Sequence, residues 1–306
     1  MVWRRLQPAE PFNCLPAVAA ELQRAARLQA LQAALHEKSI EQCFALLRSV
    51  GVEPLLLKGW AVARLYPERH LRPSGDLDLL VRPTAQSTAA AALSSPSRPP
   101  LVLIDTHHEE FDALDEEEWD QLFARSQLHQ LNQTPVRVLG AEDQLRFLCE
   151  HLLRHSVYRP LWLCDLAVML EALPPRFDWE RCLKGTRPQA IRLACAINLA
   201  GRLLGASLAS VPEQVRATPL PAWLVSEVLI QWERPCTTER HAPELMAISL
   251  RHPRRWPRAL LKRWPDPILA SVRRGRSFDE RARLPAQMAQ YLAQSINFLR
   301  RLARSR

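Results

Sequence analysis

Hydrophobic positions change period along this chain, and the changes divide it. Over residues 17–50 the apolar Leu22, Leu28, Leu31, Leu35, Ile40, Phe44 and Leu47 recur at helical spacing among charged residues, which predicts two helices, the second stopped by Gly51. Short unbroken runs follow. Leu55–Leu57, after Pro54 and before Gly59, is too brief for a helix and predicts a buried strand. Trp60–Tyr66 fits a short helix interrupted by Pro67, and Arg69–Gly75 fits a loop with a turn at Pro73, Ser74 and Gly75. Asp76–Val81 is the next strand, with Leu77 and Leu79 facing away from both aspartates.

Thr84–Leu93 is Ala-rich and helical in pattern, residues 94–100 form a loop, and Leu101–His107 predicts a third strand. On that strand Asp105 and His107 share a face with Leu101 and Leu103, while Val102 and Ile104 line the other. Asp115 followed by Glu118 fits a capping box that starts the helix carrying Trp119, Leu122 and Phe123. Val136–Leu139 reads as a brief strand or extended arm. From Glu142 the pattern is helical almost throughout, ending in an amphipathic helix over Pro285–Arg304. The expected fold class is α+β, a small mixed sheet with flanking helices followed by a mostly α-helical region. The expected divisions are N-terminal helices over 1–50, a sheet-bearing core over 51–140, a helical substrate-cleft region over 141–249 and a basic tail over 250–306.

Charge refines this division. The formal net charge is +9, but residues 250–306 hold 15 Lys/Arg against 3 Asp/Glu, so the rest of the chain is slightly acidic. Arg, Lys and Trp interleave in the tail stretch HPRRWPRALLKRWPDP, a composition that suits an anionic partner such as nucleic acid or a membrane surface, or a solvated extension docked by its tryptophans. Only four of the 41 basic residues are lysine, which points to coding bias and tempers any argument from arginine counts. Seven cysteines are scattered with no C-x-x-C spacing, against both a disulfide framework and a zinc site. The N-terminal stretch lacks an apolar signal core, and no segment reaches eighteen uncharged apolar residues, so the expected location is cytoplasmic and no transmembrane segment is expected.

The chemistry lies between Leu55 and Asp105. Asp76 and Asp78 are two residues apart on a strand and therefore point to one face, and nothing in an apolar core asks for that. A strand, a glycine turn, a helix, a D-x-D strand and a further strand with a lone acid form the arrangement that two-metal phosphoryl transfer needs. Three carboxylates on adjacent strands suit Mg²⁺, which prefers hard oxygen ligands. Lys58 and Gly59 stand at a strand end, where a backbone without Cβ lets phosphate approach and a point charge can meet it. His151 and His155 lie at i and i+4 on one helix face, but the central Glu of H-E-x-x-H is missing and no third ligand is evident, so packing or substrate contact is the expected role. Asp165, within LWLCDLAVML, fits either pairing with a neighbouring Arg or His or a place in the substrate cleft.

Three stretches, LLLKGWAVARLYPERHLRPSGDLDLLV, LIDTHHEEF and HLLRHSVYRPLWLCDLAVML, resemble an uncharacterised nucleotidyltransferase family of the DNA polymerase β-like superfamily. The resemblance spans Leu55–Leu173, with G-D-x-D-L-L-V its most specific piece. It implies that Asp76, Asp78 and Asp105 bind two Mg²⁺ ions, with Mn²⁺ as a substitute, and that Asp105 is the base for an acceptor hydroxyl. It also implies that Lys58, Gly59, Arg72 and Gly75 contact the triphosphate. His107 matches the family's histidine on the face of Asp105, and His107, His151, His155 and Asp165 are candidates for the substrate cleft, expected between the sheet-bearing and helical halves. The implied reaction moves a nucleoside monophosphate from an NTP to a hydroxyl of an unidentified acceptor and releases pyrophosphate.

Two features depart from the family pattern. Trp60 stands where the superfamily usually has Ser, and only about twenty residues separate Val81 from Leu101, where relatives have a longer helix-plus-strand insert. The shortened link motivates an alternative, a catalytically degenerate nucleotide- or anion-binding protein of the same fold. A third reading makes the basic tail the functional part, as a nucleic-acid or membrane-surface binder.

Overall fold

The structure is a computed structural model that describes residues 16–94, 103–106, 111, 114–233, 264–281 and 283–304. These residues fall into two compact units, one running to Leu145 with the addition of Ala172–Phe177, the other made of Arg146–Glu171 and the chain from Asp178 onward.

The first unit begins with one continuous helix, α1 (Pro16–Ser49), where two were expected. No Pro or Gly interrupts it, and its polar midpoint is satisfied without a break. Ser39 Oγ donates back to the Leu35 carbonyl at 3.0 Å, and His36 finds a partner forty residues downstream. Ile40, Phe44 and Leu47 are fully buried, whereas Leu28, Leu31 and Leu35 are exposed, so the second half of α1 alone carries its core face. The helix stops as expected at Gly51, whose φ of 77° suits a residue without Cβ, while Val52 N donates to the Leu47 carbonyl.

The described strands form one five-stranded sheet. Their ranges are β1 (Leu55–Leu56), β2 (Asp76–Leu80), β3 (Leu103–Asp105), β4 (Gln127–Leu131) and β5 (Thr134–Val138), in the order β3-β2-β1-β5-β4. β1 runs antiparallel to β2 and parallel to β5, which makes the sheet mixed. β4, not expected from the sequence, forms a hairpin with β5 through Asn132, which takes a positive φ of 49°. Leu56, Leu77, Leu79, Val136 and Val138 pack with Ile40, Phe44 and Leu47 of α1 in a single apolar cluster.

α2 (Trp60–Ala63) follows β1, and a 3₁₀ turn at Arg69–Leu71 precedes β2. A 3₁₀ turn at Pro83–Ala85 and α3 (Gln86–Leu93) lie between β2 and β3. These two strands are parallel, a pairing that needs a crossover of a dozen residues or more. The link after Val81 meets that need despite its shortness. α4 (Glu116–Arg125) carries the expected capping box, with Glu118 N donating to Asp115 Oδ1 at 2.8 Å and Asp115 N donating to Glu118 Oε2 at 3.2 Å.

α5 (Ala141–Arg154) contributes residues to both units, and the second unit is otherwise helical. It contains α6 (Pro160–Glu171), α7 (Trp179–Leu183), α8 (Arg187–Leu204), α9 (Glu213–Arg216), α10 (Ala222–Glu233), α11 (Pro267–Arg273) and α12 (Leu284–Arg304). The last matches the expected terminal helix. The α+β class is therefore as expected, with the mixed sheet in one unit and helices in the other. Most of the basic tail stretch, together with Leu101, Val102 and His107, lies outside the described residues. Among the described residues, no helix is long and apolar enough to cross a membrane.

Candidate active site

Strand register brings the sequence-predicted acids together. Asp78 of β2 is the direct partner of Asp105 on β3, and Asp76 pairs with Leu103. Directly paired residues of adjacent strands project to the same face, as do residues two apart on one strand, so all three carboxylates belong to one side of the sheet. Leu77 and Leu79 are fully buried on the other side, where Ile104 packs on the core. Asp76 and Asp105 are exposed, whereas Asp78 is only 3 % exposed.

Asp78 is anchored at both backbone and side chain. Leu57 N donates to its carbonyl at 3.0 Å, extending the β1–β2 pairing to the residue before Lys58. Lys58 Nζ then lies 2.8 Å from Asp78 Oδ1, and both side chains are largely withdrawn from water. A pair so buried is costly to break one-sidedly, because the remaining charge keeps its desolvation cost and loses its partner. The lysine at the strand end thus neutralises the inner aspartate. The Leu57 carbonyl accepts from Gln144 Nε2 at 3.0 Å; Gln144 is 1 % exposed, and its Oε1 has no hydrogen-bond partner among the described residues.

Gly59 turns the chain out of β1 with φ 63° and ψ −119°, a conformation that disfavours any side chain. A Cβ there would also come within 3.3 Å of His36 Cε1 and 3.4 Å of Ser74 Oγ. The serine hydroxyl is therefore close to the glycine turn even though Trp60 fills the position after it; Trp60 itself is buried in the apolar cluster. Arg72, 6 % exposed, donates to Ser74 Oγ at 2.8 Å and to the Pro73 carbonyl at 3.2 Å. Arg72, Ser74, Trp60 and His36 line one pocket. Gly75 has open space where a Cβ would stand and no positive φ, so its backbone does not require glycine.

His36 is the residue that sequence reasoning missed. It sits on α1, 6 % exposed, and its Nε2 donates to the Asp76 carbonyl at 2.9 Å. Burial pushes its pKa below the ordinary 6.5, and the Arg72 guanidinium adds to this, against the opposing hydrogen bond and the Asp76 and Asp78 carboxylates. The bond to the carbonyl requires a hydrogen on Nε2. The available signal was a polar residue on the buried face of α1, one helical turn before Ile40.

The donor chemistry and strand register suit a hard divalent cation such as Mg²⁺. The side chains do not close on one point. Among the described residues no three His, Cys, Asp or Glu side chains are grouped closely enough to hold a metal ion, and Asp78 is turned to Lys58. A cation there would compete with the lysine for Asp78.

The remaining candidates belong to the second unit. His151 is 7 % exposed and His155 is exposed; their ring centroids are 4.5 Å apart, and both meet Trp162, at 4.8 and 5.0 Å. Phe147 stacks on His151 at 5.7 Å, and Tyr158 meets Trp162 edge-on at 5.0 Å. The two histidines are thus members of an aromatic cluster. Asp165 is buried in α6, at 1 % exposure. The cysteines at positions 43, 149, 164, 182 and 195 form no disulfide among the described residues, and burial pushes Cys195 up to about 12.

A family model described as "Uncharacterised nucleotidyltransferase" matches the chain over residues 1–97 and 95–206. No curated protein and no solved structure matches the chain.

Proposed function

The chain belongs to the uncharacterised nucleotidyltransferase family, and from that premise we propose that it moves a nucleoside monophosphate from an NTP to a hydroxyl of an acceptor, with Mg²⁺ as cofactor. The observation that carries the proposal is the in-register pairing of Asp78 with Asp105, with Asp76 on the same face. Asp76, Asp78 and Asp105 would hold the divalent ions. Bound there, Mg²⁺ supplies neutralisation of phosphate charge and alignment of the reacting oxygens.

The residues of the chain divide the remaining work. Asp105, on the exposed end of β3, takes the proton of the acceptor hydroxyl. That oxygen forms a bond to the α-phosphorus as the bond to the bridging oxygen breaks, and pyrophosphate leaves. Arg72, Lys58 and the backbone at Gly59 face the triphosphate, and Gly75 leads the chain into the D-x-D strand beside them. His36 fixes the Asp76 backbone, and Gln144 fixes the strand end that carries Lys58. Preorganisation of this kind supplies acceleration by removing reorganisation from the reaction itself.

The test is incubation of the protein with each α-labelled NTP, Mg²⁺ and cell extract. The expected result is label on a new acceptor, lost in Asp105→Asn. Absence of labelling with every NTP would overturn the transferase reading. A second reading, nucleotide binding without transfer, is favoured by one observation: the Lys58 ammonium on Asp78. It predicts nucleotide-dependent thermal stabilisation with no labelled product.

A further inference from the structure

On the sheet face a cation of the chain itself already engages the inner aspartate. Lys58 Nζ lies 2.8 Å from Asp78 Oδ1, and the two side chains are 13 % and 4 % exposed. The backbone on both sides of this contact is pinned. Leu55 and Leu56 pair with Leu80 and Leu79, Leu57 N donates to the Asp78 carbonyl at 3.0 Å, and the Leu57 carbonyl accepts from Gln144 Nε2 at 3.0 Å. Any change of partner there belongs to the side chains. Asp76 and Asp105 share the face but are exposed, so the buried carboxylate is the one that the chain compensates internally. The compensating residue is a lysine in a chain where four of the 41 basic residues are lysine. Its ammonium is a point charge on a flexible four-carbon stem and can exchange partners, whereas an arginine fork holds a carboxylate in a fixed geometry.

We propose that Lys58 makes metal binding conditional on the nucleotide: it holds Asp78 until a divalent ion and a triphosphate arrive together, then turns to a phosphate oxygen as Asp78 turns to the ion. This rests on the sheet face being the site for Mg²⁺ and NTP. A bare cation taking Asp78 must break a contact held largely out of water and then stand beside the ammonium, where like charges repel strongly. Triphosphate oxygens remove that conflict, because they attract both cations. Mg²⁺ suits such an exchange, since it is usually held by one or two carboxylates together with substrate phosphates and not by a cage of protein ligands alone. The two bindings are therefore coupled, and by linkage each strengthens the other. Lys58 acts against the ion and for the nucleotide, a pair of opposite effects that a purely structural ion pair does not have.

The experiment is equilibrium dialysis of the full chain against Mn²⁺, alone and with non-hydrolysable analogues of the four common NTPs, reading the excess Mn²⁺ and nucleotide in the protein chamber. The parent should take up Mn²⁺ about 10-fold more tightly with an analogue than without, within the span usual for coupled sites. Lys58→Met should bind Mn²⁺ alone about 10–100-fold more tightly than the parent, the span of one charged hydrogen bond. In saturating Mn²⁺ the same variant should bind the analogue more weakly. Adding Asp78→Asn to Lys58→Met should abolish the gain in Mn²⁺ binding. Circular dichroism checks that the variants are folded, and the comparison within the parent decides the matter where they are not. Equal Mn²⁺ affinity of the parent with and without nucleotide, or no gain in folded Lys58→Met, would overturn the coupling and leave the metal site standing. Absence of Mn²⁺ uptake by the parent in both conditions would overturn the metal site itself, and the coupling with it.

Discussion

The sheet face with Asp76, Asp78 and Asp105 and the aromatic cluster with His151 and His155 are built from the same kinds of motif: two polar residues repeated at the period of their element. They are treated in opposite ways. On β2 the period of two places both acids on the face away from the apolar cluster, and β3 adds a third at the matching register. On α5 the period of four places both histidines against Trp162. The strand repeat is thus extended by a third carboxylate from its neighbour, whereas the helix repeat is met by aromatic rings.

Substitutions at the two regions should separate them. The largest effect is expected on the sheet, where Asp105→Asn lowers the rate of label transfer by about 10³-fold, the upper range for loss of one preorganised charge-stabilising group, while circular dichroism stays unchanged. Retention of most of the rate in Asp105→Asn would remove the sheet face from catalysis. Next, Lys58→Met should destabilise the fold by about 3 kcal/mol, the lower end for stranding one partner of a buried pair, with much of the loss recovered on adding Asp78→Leu. Urea denaturation of the single and double variants gives the answer, and purely additive effects would mean that the 2.8 Å contact contributes no coupling. In the other region, His151→Ala should cost about 1–3 kcal/mol through lost ring packing and leave transfer within twofold of the parent. A large rate loss at full stability would reassign that histidine to the substrate.

The smallest effect is a pH dependence. His36 has a folded pKa below 6.5, so between that value and 6.5 the unfolded chain binds more protons and stability rises with pH. Its contribution is complete above pH 6.5 and declines as the pH falls below it toward the folded pKa. The denaturation midpoint should therefore drop more steeply from pH 7 to pH 5.5 in the parent than in His36→Gln. Parallel profiles would show that burial does not hold the His36 pKa below its ordinary value in the folded protein.

Much of this architecture was legible in the sequence, and what escaped has a physical reason in each case. The D-x-D strand, the Asp115–Glu118 cap and the terminal helix are set by local spacing, and each appears where the pattern placed it. α1 looked like two helices because the partner of His36 lies forty residues away, beyond any periodic signal. β4 escaped because Gln127, His129 and Gln130 give no clean alternation and its turn lacks the Asn-Gly signature. The link after Val81 is shorter than the family pattern expects. Yet a 3₁₀ turn and one two-turn helix lie within it, and β3 pairs parallel to β2 in register. Lys58 was recognisable as a charge at a strand end, but its pairing with Asp78 depends on the antiparallel register of β1 and β2, which no local pattern specifies.

The most direct test of the account is calorimetric titration of NTPs into the parent protein and into Asp105→Asn, each with Mg²⁺ and again with a chelator. Binding by the parent should require Mg²⁺ and be strongly weakened in Asp105→Asn. Equal binding in chelator, or undiminished binding by Asp105→Asn, would contradict the claim that the paired carboxylates of β2 and β3 form the site.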